Sequence, residues 1–170
     1  MSLQWPAGAC HRHSQPVKGR NSDPGVTNVR NVSSSHWRRW LGVESRCVVP
    51  FTSFAENEVM PNGSRPPVWF ALADSRPLAF FAGNWTRWTS VRKVKEGQTT
   101  NDLFAFLTTE PNAIVAPIHA KAMLVIPTTP EEVDAWMTAP AQKAVMLQRP
   151  LPNSVLRIVA RGEKEDGLPS

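Results

Sequence analysis

The feature that most limits the fold of this chain is its punctuation by proline and glycine. Sixteen prolines and nine glycines are spread over 170 residues. Proline interrupts helices and sheet ladders, and both residue types mark turns, so the chain must be built from short elements with many connections. This excludes a helical bundle, which needs long uninterrupted helices. Because a chain of this length usually forms one domain, we predict α+β architecture with a mainly antiparallel, barrel-like sheet and short peripheral helices.

Strands are predicted where apolar or alternating runs are bounded by turn residues. They cover 26–32, 46–51, 67–73, 78–88, 102–108, 122–127 and 155–160. The turn at 74–77 predicts that the third and fourth of these strands form a hairpin. Short helices are predicted at 36–41, 110–116 and 141–147. The clearest helix start is Thr129, Pro130 and Glu132, because an N-cap threonine, a proline at N1 and a glutamate at N3 make a capping box.

The chain divides into three segments by composition. Residues 1–22 are predicted to be an irregular N-terminal arm, 23–161 the folded domain, and 162–170 a mixed-charge tail. No apolar stretch approaches the roughly 18–20 residues that cross a bilayer, so we expect no membrane partner. The first residues lack the basic segment and apolar core of a secretory signal, which predicts a cytoplasmic protein.

Charge is distributed unevenly along the chain. Residues 1–95 carry 13 Lys and Arg against 5 Asp and Glu, a net charge of +8, and residues 96–170 carry 6 against 9, a net charge of −3. These sum to the overall +5. A basic half favours a polyanionic partner. A solvated basic face without any partner fits the charge equally well.

Tryptophan and arginine alternate in the segment Trp37, Arg38, Arg39, Trp40. Unpaired bases stack on aromatic rings at about 1–3 kcal/mol each, and arginine holds phosphate, so the segment is a candidate for binding single-stranded DNA. Trp85, which is followed by Arg87 and Trp88, is a further candidate. The alternative is an amphipathic helix that buries both tryptophans of the first segment beneath a basic face. No helix-turn-helix or zinc-finger pattern indicates duplex recognition.

Cys10 and Cys47 are too few for a disulfide framework. Cys10 lies among histidines, but a closed zinc site needs four ligands in two spaced pairs and no second pair is present. We therefore predict no metal and no cofactor.

Two titratable residues are candidates for acid–base chemistry. Glu56 follows an apolar strand, and desolvation there would raise the pKa of its carboxyl towards neutrality. His119 precedes the apolar run 123–126 and carries the side chain best suited to proton transfer near neutral pH. Each residue taken alone also fits a purely structural role, and spacing does not connect the two.

Four segments, in the same order, resemble motifs of the SOS response-associated peptidase (SRAP) family of abasic-site processing proteins. Residues 28–30 are similar to the family's Asn-Ala-Arg, and 46–56 to Arg-Cys-apolar-apolar-Pro followed by Gly-Phe-Tyr-Glu-Trp. Residues 77–85 are similar to Pro-Leu-Ala-Phe-Ala-Gly-Leu-Trp, and 108–126 to Thr-Thr-x-Ala-Asn, Ile-His and an apolar strand. The resemblance covers roughly residues 23–160.

The resemblance implies a barrel-like α+β fold with a basic groove for single-stranded DNA carrying abasic sites, in a monomer associated with the nucleoid. Family members use an N-terminal cysteine to form a covalent DNA–protein crosslink at the lesion, and some remove a short leader peptide with the same residue. Carried over, Asn28 orients the nucleophile, Arg30 grips phosphate, and Glu56 and His119 transfer protons.

The sequence departs from the family pattern at its start. Ser2 stands where the family has its nucleophilic cysteine, Asn57 replaces the tryptophan after the motif glutamate, and the stretch before Asn28 is short. A serine hydroxyl is a far weaker nucleophile than a thiolate at neutral pH. We expect an N-terminally truncated member in which crosslinking is lost. The alternative is a non-catalytic module for single-stranded DNA or an inactive fragment.

Overall fold

The computed structural model describes residues 26–91 and 94–166. The predicted arm at 1–22 lies outside these ranges, together with Ser2, Cys10 and the last four residues of the predicted tail. Among the helices that the model describes, none is long and apolar enough to span a bilayer.

Within the described residues, eight strands form two sheets. Their bounds are β1 Asn28–Val29, β2 Arg46–Phe51, β3 Phe54–Asn57, β4 Pro67–Ala71, β5 Ala79–Ser90, β6 Thr99–Thr109, β7 Met123–Leu124 and β8 Arg157–Arg161. The larger sheet has the order β1-β6-β5-β2 with β7 paired to β6, and the smaller has the order β3-β4-β8. Among the strand pairs of these sheets, β1–β6 is parallel and the others are antiparallel. The α+β class and the mainly antiparallel sheet are confirmed, whereas closure into a barrel is not confirmed.

Three short α-helices accompany the sheets in the described part of the chain: α1 Ser35–Arg38, α2 Pro130–Thr138 and α3 Ala141–Ala144. The N-cap of α2 is the predicted Thr129, whose hydroxyl accepts from the Glu132 N–H at 3.3 Å. The Glu132 carboxylate accepts from the N–H of Thr128 at 2.8 Å, whereas in a capping box it would accept from the N–H of the N-cap residue, Thr129. The predicted helix start is thus confirmed with a shifted capping box.

Side chains alternate along the strands of the larger sheet, so part of the sheet contributes to a separate core on each of its faces. On one face, Phe51 and Phe81 stack with ring centroids 3.9 Å apart, in a core shared with β4 of the smaller sheet. On the other face, Ala105 and Leu107 of β6 pack in a second core beneath α1 and α2. That second core contains Trp37, Trp40 and Trp136.

Several element predictions were wrong or incomplete. The hairpin predicted across 74–77 does not form, because β4 pairs with β3 and β8 while β5 joins the other sheet. The helix predicted at 110–116 is replaced by turns. Strand β3 was not predicted, and the strand predicted at 122–127 is reduced to the two residues of β7.

Candidate acid–base site

Glu56 is placed by the packing of the strand that carries it. Two residues earlier in β3, the Phe54 ring lies 5.3 Å from the rings of both Phe70 and Phe81 in the core between the sheets. Because side chains alternate along a strand, Glu56 projects from the same face as Phe54. Its side chain is 27% exposed. The core therefore fixes a carboxylate at the edge of the apolar region.

His119 lies in the loop between β6 and β7, and hydrogen bonds inside this loop set its position. The side-chain oxygen of Asn112 accepts from the N–H groups of Ile114 at 3.2 Å and Val115 at 3.0 Å. The Val115 carbonyl in turn accepts from the His119 N–H at 2.8 Å. In place of the predicted helix, this segment therefore consists of turns in which the Asn112 side chain binds the N–H groups of Ile114 and Val115.

Glu56 and His119 meet although 63 positions separate them in the sequence. The Nδ1 atom of His119 lies 3.3 Å from Oε2 of Glu56. The contact is long for a charge-assisted hydrogen bond, so we describe it as a polar pair. Burial raises the pKa of the Glu56 carboxyl from its ordinary value of 4.5, and the charge of the neighbouring His119 opposes this rise. A carboxyl with a raised pKa beside an imidazole is suited to move protons near neutral pH.

Replacing His119 by glutamine is expected to raise the pKa of Glu56 further, because the substitution removes the charge that opposes desolvation. The pKa is measured from the carboxyl ¹³C chemical shift of Glu56 as a function of pH. Lys121→Gln is the matched control, since it removes an exposed cation from the same loop and is expected to leave the titration unchanged. An unaltered Glu56 titration in His119→Gln would show that the two side chains are not coupled.

The segment that contains Asn28 and Arg30 also contacts the loop that carries His119. Asn28 is an exposed residue of β1, opposite Phe106 of β6. The Nη1 atom of Arg30 donates to the carbonyl of Lys121 at 2.6 Å, two residues beyond His119. The structure thus brings three family-like segments to one place. The orienting role of Asn28 stays a prediction.

The model of the family described as SOS response associated peptidase (SRAP) matches residues 16–160. The chain belongs to the SRAP family. No curated protein matches it. Among solved structures, a crystal structure of a protein from Bacteroides thetaiotaomicron is similar in fold, with a TM-score of 0.61 and 22% sequence identity over 76% of this chain and 56% of that one. The chain therefore spans just over half the length of that protein.

Of the predicted DNA-contact residues, the structure exposes some and buries one. Arg38 and Arg39 are exposed, and Trp85 is 40% exposed. Trp37 is only 8% exposed and packs against Trp40 with ring centroids 5.7 Å apart. A buried ring has no face open to a base, so Trp37 is not a candidate for stacking. Its burial agrees with the alternative interpretation, an amphipathic helix that buries its tryptophans.

Cys47 is the free cysteine among the described residues. Burial raises the pKa of its thiol to about 11, so it is protonated at neutral pH and is a poor nucleophile. Cys47 is therefore poorly suited to serve as a nucleophile.

Sequence reasoning overlooked two residues that organise the site, Asn112 and Gln148. Asn112 is buried, and its Nδ2 also donates to the Leu151 carbonyl at 3.2 Å. An asparagine directly after a proline is a turn signal, so this residue could have been found. Gln148 donates to the backbone of both β6 and Arg30. No local pattern indicates that role, because its partners lie 40 and 118 residues away.

Proposed function

We propose that this SRAP chain binds single-stranded DNA and acts on abasic sites, with Glu56 and His119 as the proton-transfer pair. The observation that carries the proposal is the 3.3 Å contact between these side chains on an SRAP scaffold. The raised pKa of Glu56 supports it, because a carboxyl that stays partly protonated closer to neutrality can act as an acid as well as a base.

An abasic site needs proton transfer at two atoms of the sugar. Opening the ring to the aldehyde takes a proton from the C1′ hydroxyl and gives one to the ring oxygen. Attack of an amine on the aldehyde then gives an imine and releases water, and the departing hydroxyl must be protonated. A carboxyl and an imidazole in contact can serve these steps, since one donates while the other accepts.

The nucleophile is the part of the reaction that the described residues do not supply. Family members provide an amine and a thiol from an N-terminal cysteine, and this sequence has Ser2, outside the described ranges. The high pKa of Cys47 argues against a substitute thiol. Covalent capture through an imine needs only an amine of the protein, and it does not require ring closure by a thiol.

Exposed cations support the binding half of the proposal. Arg38 and Arg39 lie at the end of α1, and the Arg30 side chain, which contacts the loop that carries His119, is 47% exposed. Trp85 offers a partly exposed indole on β5 for stacking. We propose that the chain acts in this way as a monomer at the nucleoid.

The test uses a labelled single-stranded oligonucleotide with one abasic site, incubated with the protein with and without borohydride. A denaturing gel separates the free strand, the cleaved strand and a covalent adduct; borohydride reduces an imine to a stable amine. We expect an adduct or cleavage that Glu56→Gln and His119→Gln slow, and no reaction with a tetrahydrofuran analogue, which has no aldehyde. Equal rates in the wild type and in the Glu56→Gln/His119→Gln double variant would contradict the proposal.

A second candidate function is a non-catalytic module for single-stranded DNA. The raised pKa of the thiol of Cys47, the free cysteine among the described residues, favours it, because a protonated thiol is a poor nucleophile. It predicts binding that weakens steeply with salt, that Arg38→Ala reduces, and that is equal for intact and abasic strands. No adduct would form under borohydride in this case, which distinguishes it from the first proposal.

A further inference from the structure

The side chain of Arg30 bridges the two ends of the loop that carries His119. The loop leaves β6 after Thr109 and enters β7 at Met123, and these two residues are paired. Nη1 of Arg30 donates to the Thr109 carbonyl at 3.2 Å and to the Lys121 carbonyl at 2.6 Å. A guanidinium Nη atom carries two hydrogens, so one nitrogen can serve both ends of the loop.

The backbone of Arg30 is itself held in place. Nε2 of Gln148 donates to the Arg30 carbonyl at 2.6 Å and to the Thr108 carbonyl at 2.8 Å. It therefore ties the chain just after β1 to the end of β6. A side chain whose backbone is fixed at its root loses less conformational freedom when its head group binds. The Arg30 side chain is accordingly preorganised to bind the two carbonyls at the ends of the loop.

His119 lies between two attachment points of this loop. Its own N–H is held by Val115 on one side, and the Lys121 carbonyl two residues later is held by Arg30 on the other. We propose that Arg30 is a positioning residue for His119, which keeps the imidazole against Glu56. The proposal rests on the proposed function for its catalytic meaning, and it adds to the expected phosphate contact a second role for the same side chain.

The two roles of Arg30 use different nitrogens. Nη1 is engaged by the loop carbonyls, whereas Nη2 lies 3.8 Å from the exposed carboxylate of Glu110. An exposed ion pair of this length is worth little, so a DNA phosphate can replace Glu110 at Nη2 without releasing the loop. A lysine at position 30 would keep the positive charge but lose the planar fork that positions Nη1 and Nη2 separately.

The test compares Arg30→Ala and Arg30→Lys with Arg38→Ala, an exposed arginine that makes no contact with the loop among the described hydrogen bonds and ion pairs. The readout is the pKa of Glu56 from its carboxyl ¹³C shift. Since His119 lowers that pKa, displacement of the imidazole raises it. We expect Arg30→Ala to raise it by as much as His119→Gln does, Arg30→Lys to raise it by less, and Arg38→Ala to leave it unchanged.

Two further measurements separate positioning from loss of charge or of fold. A rise in Arg30→Lys, which keeps the charge, supports positioning, and the Arg30→Ala/His119→Gln double variant is expected to show no rise beyond that of His119→Gln alone. Circular dichroism spectra of each variant are compared with the wild-type spectrum to check that the variant is folded. A folded Arg30→Ala protein with the wild-type Glu56 titration overturns the proposal. DNA binding is measured separately, so a wild type that binds no DNA contradicts the proposed function while the titration still decides the role of Arg30.

Discussion

Replacing Trp136 by alanine is expected to lower the free energy of unfolding by about 3–5 kcal/mol, the range for deleting a large aromatic side chain from a core. Trp136 is a residue of α2, and its side chain is fully buried in the second core. Its Nε1 donates to the Cys47 carbonyl at 2.9 Å, and the Arg46 guanidinium lies 5.5 Å from the ring centroid. One side chain thus attaches α2 to β2 by packing, by a hydrogen bond and by a cation–π contact.

The measurement is urea denaturation followed by far-UV circular dichroism. Trp85→Ala is the matched control: it deletes the same side chain from a position that is 40% exposed and is expected to cost under about 1 kcal/mol. Trp136→Phe keeps most of the apolar contact and removes the hydrogen bond to the Cys47 carbonyl, so we expect a loss of about 0.5–1.5 kcal/mol. Similar losses in Trp136→Ala and Trp85→Ala would contradict the burial that the structure assigns.

Parts of the fold that depend on local signals were predicted well. Strand β2 has the predicted bounds Arg46–Phe51, because an apolar run ends there at a turn. The start of α2 follows from Thr129 and Pro130, whose capping chemistry acts within one helical turn. Such elements are specified by residues close together in the sequence.

Parts that depend on distant partners were not predictable in this way. The turn at 74–77 looked like a hairpin connection, yet β4 pairs with β8, whose residues lie about ninety positions later. Arg76 in that turn has a φ of 50°, a conformation that a local pattern did not indicate. Strand β3 has four residues and alternates between half-buried and exposed positions, so its signal is too short to recognise.

In the candidate site, too, the features set by local sequence were predicted and those set by distant partners were not. Glu56 and His119 were each found as titratable residues next to apolar segments, but their spacing gave no reason to join them. Only the family resemblance joined them, and the structure places their side chains 3.3 Å apart, while their catalytic roles stay a prediction. The contacts of Arg30 with the two ends of the loop could not be predicted from the sequence, because they are made to backbone carbonyls, which every residue type has.

Replacing Glu56 by glutamine is expected to slow proton transfer at an abasic site by about 10²–10⁴-fold, the usual contribution of a general acid or base. The same substitution is expected to raise the melting temperature at neutral pH. The pKa of Glu56 is higher in the folded state than its ordinary value of 4.5, so the folded state loses stability as pH rises from that value through the folded pKa. Glutamine has no proton to lose, and the variant avoids this penalty.

The stability advantage of Glu56→Gln is therefore expected above the folded pKa and to disappear below pH 4.5, where the carboxyl is neutral in both states. Melting temperatures at a series of pH values check this. Glu58→Gln is the control for loss of a nearby carboxylate, one that pairs with Arg161 at 2.6 Å. A lower melting temperature for Glu56→Gln at neutral pH would mean that the His119 contact outweighs desolvation. Higher stability combined with slower reaction is the pattern of a residue held at an energetic cost for its chemistry.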